Sequence, residues 1–168
     1  KTEDDGLPSG DLGRITFSPS PAQRGRVYAL AEAEKSAMLR SDDGGESWVR
    51  TNEDHDIAIR PFYYTEVAAD PDNPDRVYNI ASRLSVSTDR GKTFEFNPVI
   101  DCCEASNTIH IDIHSLWINP QDSRHLIVGN DGTEEGTYGE DSSDVQRPED
   151  VGTPVCDRVQ NLGGVICE

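Results

Sequence analysis

A pattern that returns at intervals of about fifty residues constrains this chain of 168 residues more than any other feature. Three segments align: "ITFSPSPAQRGRVYALAE" from Ile15, "TEVAADPDNPDRVYNIAS" from Thr65 and "HSLWINPQDSRHLIVGND" from His114. Each holds an apolar stretch, then Ser, Asp or Asn followed by Pro, a polar turn, a basic residue and a second apolar stretch. The matched prolines are Pro19, Pro71 and Pro120, in steps of 52 and 49; the second stretches begin at Val27, Val77 and Leu126, in steps of 50 and 49. A polar, proline-bearing turn between two short β-rich runs predicts a hairpin.

A second signal closes the unit. "SDDGGESW", Ser41–Trp48, returns 46 positions later as "STDRGKTF", Ser87–Phe94, and both read Ser-x-Asp-x-Gly-x-x-aromatic. Several short strands in about fifty residues is the period of a β-propeller blade, so the expected fold is all-β. One stretch disagrees locally. "VYALAEAEKSAMLR" has the alanine, leucine and glutamate content of a helix. Its counterpart "VYNIASRLSV" is β-like and shorter, so the repeat predicts strand, a lengthened turn around Glu34–Lys35–Ser36, and strand.

The turn motif has a mechanical reading. Asp43 and Asp89 can accept hydrogen bonds from backbone N–H groups of their own turns. Gly45 and Gly91 can take positive φ, and Trp48 and Phe94 can fold back as apolar plugs. This resembles the Asp-box of sialidases, bacterial BNR-repeat proteins and sortilin-type propellers. In those families the motif lies at a turn between outer strands, away from the binding face, so the resemblance implies a structural role for Ser41, Asp43, Gly45, Trp48, Ser87, Asp89, Gly91 and Phe94. The flanking text "LPSGDLGRI", "RPFYYTEVAADPDNPDRVY" and "HSLWINPQDSRHLIVGNDG" extends the likeness. Over about residues 7–132 the chain is similar to the large bacterial and archaeal sortilin-like, BNR-repeat "glycosyl hydrolase" proteins. That resemblance implies a long propeller and an extracytoplasmic (periplasmic or secreted) location.

The pattern then stops. After Gly132 the acidic, turn-rich remainder has no further copy of the motif, although one is due near residue 136. The expected organisation is a partial propeller over 1–132, with repeats at about 14–62, 63–113 and 114–132, and an irregular, cysteine-containing tail over 133–168. Two blades and part of a third leave the ring incomplete, with strand edges and blade faces unsatisfied. A piece of a longer chain, a reduced propeller completed by a partner, and a compact domain reusing blade units all fit. The charged start "KTEDDGLPSG" reads as a mature N-terminus or a cut into a longer chain.

Charge narrows the partners. The net charge of −17 repels nucleic acid and anionic lipid and suits cationic partners, divalent ions or a salty environment. No apolar run approaches the roughly 20 residues of a membrane span. The four cysteines Cys102, Cys103, Cys156 and Cys167 are disulfide candidates in an oxidising compartment, able to pin the tail to the Cys102–Cys103 loop; free thiols and a metal site are the competing readings.

Three groups of residues invite chemistry. On a strand, His110, Asp112 and His114 of "HIDIH" would face one way. At about 3.4 Å per residue the two histidines stand too far apart for one ion, leaving only neighbouring pairs as weak metal candidates; a hydrogen-bonded polar row is the other reading. The family resemblance implies that this row matters, since similar sequences carry His-Asp-His before "LWIDP". A sialidase site would need an arginine cluster, a tyrosine nucleophile with a glutamate partner and a general acid. Arg14, Arg60, Tyr63, Tyr64 and Glu66 supply some of these types, but such sites draw on blades around a whole ring, and "RPFYY" reads as a packed aromatic strand entry. The acidic loops Glu53–Asp56 and Glu140–Asp144 could hold calcium, the one cofactor considered, without fitting the spacing of an EF-hand.

The expected function is non-enzymatic: an extracytoplasmic structural or binding subunit docking on other proteins of a larger assembly. The second expectation is a fragment of a glycan-acting hydrolase of sialidase-like fold, its site completed elsewhere.

Overall fold

The structure is a computed structural model and describes residues 5–96, 112–130, 156–159 and 164–167. It is all-β apart from short turns, and it consists of three four-stranded antiparallel sheets. The first runs β1 (Ile15–Pro19), β2 (Val27–Ala31), β3 (Ala37–Ser41), β4 (Val49–Asn52) in spatial as in chain order. The second repeats it with β5 (Glu66–Ala69), β6 (Val77–Ile80), β7 (Leu84–Ser87) and β8 (Glu95–Phe96). A 3-10 turn, His55–Ala58, lies between them. The third is ordered β11-β12-β10-β9, from β9 (Ile113–Ile118), β10 (Leu126–Asn130), β11 (Cys156–Val159) and β12 (Gly164–Cys167). Among the described residues the ring is not closed.

Residues 27–41 form strand, turn and strand despite their helical composition, because both faces of β2 and β3 are used. Tyr28, Leu30 and Met38 pack toward the second sheet, while Ala29, Ala31, Ala37 and Leu39 pack under Leu7, Ile15 and Trp48. Burial on two faces outweighs a propensity difference of tenths of a kcal/mol per residue.

The register corrects one detail of the repeat. Ser20, Asp70 and Asn119 each donate a backbone N–H to the carbonyl of Arg26, Arg76 and His125 respectively, at 2.9, 3.1 and 2.9 Å. The proline equivalent to Pro71 and Pro120 is therefore Pro21, not Pro19, which ends β1. Matching Pro19 had produced the odd step of 52; Pro21 restores steps of 50 and 49.

Residues 156–159 and 164–167 add two strands to the third sheet, out of chain order: β12 pairs with β10, and β11 lies at the edge. Four-residue strands are too short for alternation to reveal them in a sequence.

The cores lie between sheets. Tyr28, Leu30 and Met38 meet Ile57, Val67, Ala69 and Val77, with Phe94 against them, at the first junction. Tyr78, Ile80 and Leu84 meet Ile113, Leu126 and Val128 at the second. The second blade thus presents one face to the first blade and the opposite face to the third.

Candidate functional site

Antiparallel order places the chemistry. Within a sheet, the β1–β2 and β3–β4 turns fall at one end and the start of β1 at the other; the second sheet repeats this. Both Ser-x-Asp-x-Gly turns therefore share the end of the proline turns, as the bonds Gly44 N–H to Gly25 O (2.8 Å) and Arg90 N–H to Asp75 O (2.9 Å) show.

The two turns are built alike. The Ser41 hydroxyl donates to Asp43 Oδ1 (2.7 Å) and accepts from Gly45 N–H (2.8 Å). Asp43 accepts from the Ser47 N–H (2.9 Å) and hydroxyl (2.6 Å). In the second turn Ser87 binds Asp89 (2.8 Å) and Gly91 N–H (2.8 Å), and Asp89 accepts from Thr93 N–H (2.9 Å) and hydroxyl (2.7 Å). Gly45 at φ 94° and Gly91 at φ 79° occupy the left-handed region, which favours glycine. Bonds from Ser47, then Ser41, hold the Asp43 carboxyl well below the usual carboxylate range. For Asp89, burial pushes upward, but the bonds from Thr93, Ser87 and Lys92 prevail and lower it. Each carboxylate is held by donors of its own turn on both of its oxygens. The hydroxyls of Ser47 and Thr93, a shared Ser/Thr one residue before the aromatic, are legible in the sequence and belong to the motif.

At the opposite end the starts of the first strands bring together residues about fifty positions apart. Arg14, just before β1, lies 5.3 Å from the Tyr64 ring centre and 3.6 Å from Glu66 at the start of β5. The Tyr64 hydroxyl donates to the His114 carbonyl, and its ring stands 4.7 Å from the His114 ring. Tyr63 meets the same imidazole edge-on at 5.6 Å. Arg60 pairs with Asp112 and donates to the Ser82 hydroxyl at 3.3 Å. Asp112 is held at φ 68°, its N–H donating to Ser82 O at 2.8 Å. Ser82 is the member of this cluster that the sequence did not point to.

The strand expected through "HIDIH" does not reach Asp112: β9 starts at Ile113, and the left-handed backbone at Asp112 breaks the alternation. Asp112 turns to Arg60, whereas His114 is packed against the two tyrosines. His110 lies outside the described residues, as do Cys102, Cys103 and Glu140–Asp144. Cys156 and Cys167 are backbone partners across β11 and β12.

Two properties bear on catalysis. Burial, reinforced by Glu66, drives the Tyr64 phenol upward, so it stays a protonated donor at neutral pH; a tyrosine nucleophile needs the opposite shift. Around Arg60, Tyr64, Ser82, Asp112 and His114 the packing leaves no space for a water molecule (≈ 0 Å³). A cavity of ≈ 340 Å³ lies elsewhere, beside the first junction, lined by Asn52, Asp54, His55, Asp56, Phe94 and Phe96 among others. Of the acidic loop beside it, Glu53 is paired with Lys35 and Arg50, and Asp54 interacts with Asn52. Among the described residues no three His, Cys, Asp or Glu side chains converge on a metal position.

The fold has relatives among solved structures. A GH74 enzyme of Niastella koreensis superposes with a TM-score of 0.52 at 20% identity, over 71% of this chain and 19% of that one. An ancestral GH74 enzyme gives 0.48 at 20% identity, over 72% and 14%. YCF48 bound to D1 peptide gives 0.43 at 17%, over 74% and 36%. This is a β-propeller fold. The chain spans about a fifth of the length of the Niastella enzyme or less of the ancestral one. No family model and no curated protein matches it.

Proposed function

We propose that the chain is a non-enzymatic binding module of an extracytoplasmic assembly, a BNR-type (sortilin-like) set of blades that docks on other proteins. The observation that carries this reading is the filled, charge-neutralised rim. Arg14 and Arg60 are each matched by an acid, and Phe62 and Tyr63 lie in the chain beside Arg60, 77% and 52% exposed. Exposed aromatics flanked by arginine are the residue types that dominate protein contact surfaces. A glycan-acting site would require a cleft with free acids, whereas among the described residues Glu66 and Asp112 of the rim are each paired with an arginine.

Native mass spectrometry of the chain taken from its own source tests the reading: a heteromeric complex supports it, and the chain alone or only in multiples of its own mass overturns it. A turnover assay on a panel of glycans tests the enzymatic alternative, with no release of reducing sugar expected. Release abolished by Tyr64→Phe or Asp112→Asn would establish hydrolysis at the rim. For location, Cys156 and Cys167, whose backbones pair across β11 and β12, are the pair whose disulfide would mark a thiol-oxidising compartment. Peptide mapping without reductant should recover the two as one linked peptide; free thiols in native material would count against an oxidising location.

A further inference from the structure

The rows of residues that cross each sheet show where the second blade departs from the repeat. Residues paired across neighbouring strands point to the same face. In the second blade one such row is Val67, Asn79, Ser85 and Phe96, and its Val67 packs at the first junction. The middle pair of the equivalent row is Ala29 with Leu39 in the first blade and Val128 with Val165 in the third. Two polar residues thus stand where the other blades have apolar ones, and both are buried: Asn79 is 1% exposed and Ser85 3%. The Asn79 amide nitrogen donates to Ile57 O at 3.0 Å, which fixes the orientation of the carboxamide, and more weakly to Ser85 Oγ at 3.5 Å. Its carboxamide oxygen has no hydrogen-bond partner. A buried orphan acceptor is costly, and the apolar pairs of the other blades avoid it.

The cavity of ≈ 340 Å³ opens beside this row. Ser85, Phe94 and Phe96 line it from the second blade, and Asn52, Asp54 and Asp56 from the segment that leaves the first. The carboxamide donors near it are spent: the Asn52 nitrogen bonds Lys92 O at 2.8 Å and Asp54 at 3.3 Å, and that of Asn79 bonds as above. The acceptors are not. Asp54 precedes the 3-10 turn without capping it, and Asp56 lies in its first turn. Both are exposed, and among the described residues neither has a cationic partner. Free acceptors, spent amide donors and aromatic walls suit a ligand that only donates and has an apolar face. A guanidinium is such a group, planar, permanently charged, with N–H donors and no acceptor, whereas a sugar hydroxyl must also accept. The Phe96 ring already carries one guanidinium: Arg83, which does not line the cavity, stands 5.2 Å from its centre.

We propose that this cavity binds a guanidinium group, carried by an arginine of another protein or by a small guanidine compound. Its plane rests on the phenylalanines, its N–H groups reach Asp54 and Asp56 at the mouth, and one enters past Ser85 toward the Asn79 oxygen. The volume is at the small end for ligand pockets, which suits one side chain rather than an extended ligand. The net charge of −17 draws a cation to the surface. No rim residue lines this cavity, so the inference stands apart from the reading of the rim.

Amide NMR spectra of the isotope-labelled chain, titrated with methylguanidinium chloride at fixed ionic strength, test it. Saturable shifts at millimolar concentrations are expected at residues 52–57, at Ser85 and at residues 94–96. Asp56→Asn, a change at an exposed side chain, should weaken binding about tenfold. Glu53→Gln makes the same change of charge in the same loop but outside the lining, and should leave binding nearly unchanged. A blocked peptide with a single arginine separates the two sources. Tighter binding than methylguanidinium supports a protein-borne arginine, and equal or weaker binding supports a small guanidine compound. Absence of saturable shifts overturns the proposal. So does methylammonium binding as well as methylguanidinium, and so does glucose shifting the same amides. Equal weakening by Glu53→Gln and Asp56→Asn also overturns it, since the site would then be no more than the field of an acidic surface.

Discussion

The two junctions between blades have the same geometry and different chemistry. The first is tied most closely at the turn end, its rim holding only the longer, exposed pair of Arg14 with Glu66 at 3.6 Å. Arg26, nearly buried, pairs with Asp42 and Asp75 and donates to Pro74 O at 2.9 Å; the Tyr28 hydroxyl reaches the same carbonyl at 2.6 Å. Arg90 adds a two-pronged bond to Asp75, at 2.9 and 3.0 Å. The second junction is tied at the rim. There Asp112 and Ile113 donate backbone N–H groups to Ser82 and Ala81, Arg60 pairs with Asp112, and Tyr64 reaches His114. Its turn end holds the longer bond from Ser123 N–H to Asp72, 3.2 Å. Apolar contact supplies the packing in both, and the polar ties select which end of each junction is held. The blade is a repeated shape, but its fastenings are not repeated.

Large-to-small changes at the second junction should break the comparison most severely. Ile80→Ala or Leu126→Ala removes a fully buried side chain, with an expected loss of about 2–5 kcal/mol in urea unfolding. Amide exchange should rise across 113–130 before it rises across 27–41; uniform loss of protection would mean that the blades do not separate into these two junctions. Arg26→Met should cost about 1.5–3 kcal/mol, because bonds to a charged group are lost while Asp75 keeps Arg90 and Asp42 can rehydrate. Its exchange signature should be confined to the turn end of the first junction. Tyr64→Phe should cost about 0.5–1.5 kcal/mol through the single bond to the His114 carbonyl, loosening the amides that follow Asp112 and sparing those near Tyr28.

Acid should distinguish the junctions by the smallest effect. Arg90, aided by Arg26 against a lesser push from burial, lowers the Asp75 carboxyl below its ordinary value. A depressed folded value means that the stabilisation is complete above the unfolded carboxylate value of about 3.9 and is lost as pH falls through the folded value. Stability followed below about pH 4 should therefore decline with a shallower slope in Asp75→Asn than in the wild type. Equal slopes would show that the acid-sensitive tie lies elsewhere.

Much of this was legible in local sequence. A Ser-x-Asp-x-Gly turn closes on itself within eight residues, and the second-strand starts at Val27, Val77 and Leu126 are spaced by the repeat alone. The proline alignment failed by two residues at Pro19 because "SPSP" offers two candidates, and only backbone pairing distinguishes them. Of the rim, the residue types Arg14, Arg60, Tyr63, Tyr64 and Glu66 were visible together with Asp112 and His114. Their meeting was not, since Tyr64 and His114 are 50 positions apart and the tie between them carries no local signature.

What the sequence by itself determined is the unit: short strands, a turn that satisfies its own hydrogen bonds, and a period. These depend on contacts within a few residues, where spacing and residue type are sufficient. The tertiary structure alone decided which ends of the blades are fastened, that Arg26 reaches Asp75 of the next blade as well as Asp42 of its own, that β11 and β12 enter the third sheet out of order, and that Phe17 and Trp117 stand exposed while Tyr28 and Tyr78 do not. The physical reason is that burial belongs to neighbours rather than to residues. Equivalent positions of one repeat are buried or exposed according to whether another blade lies against them.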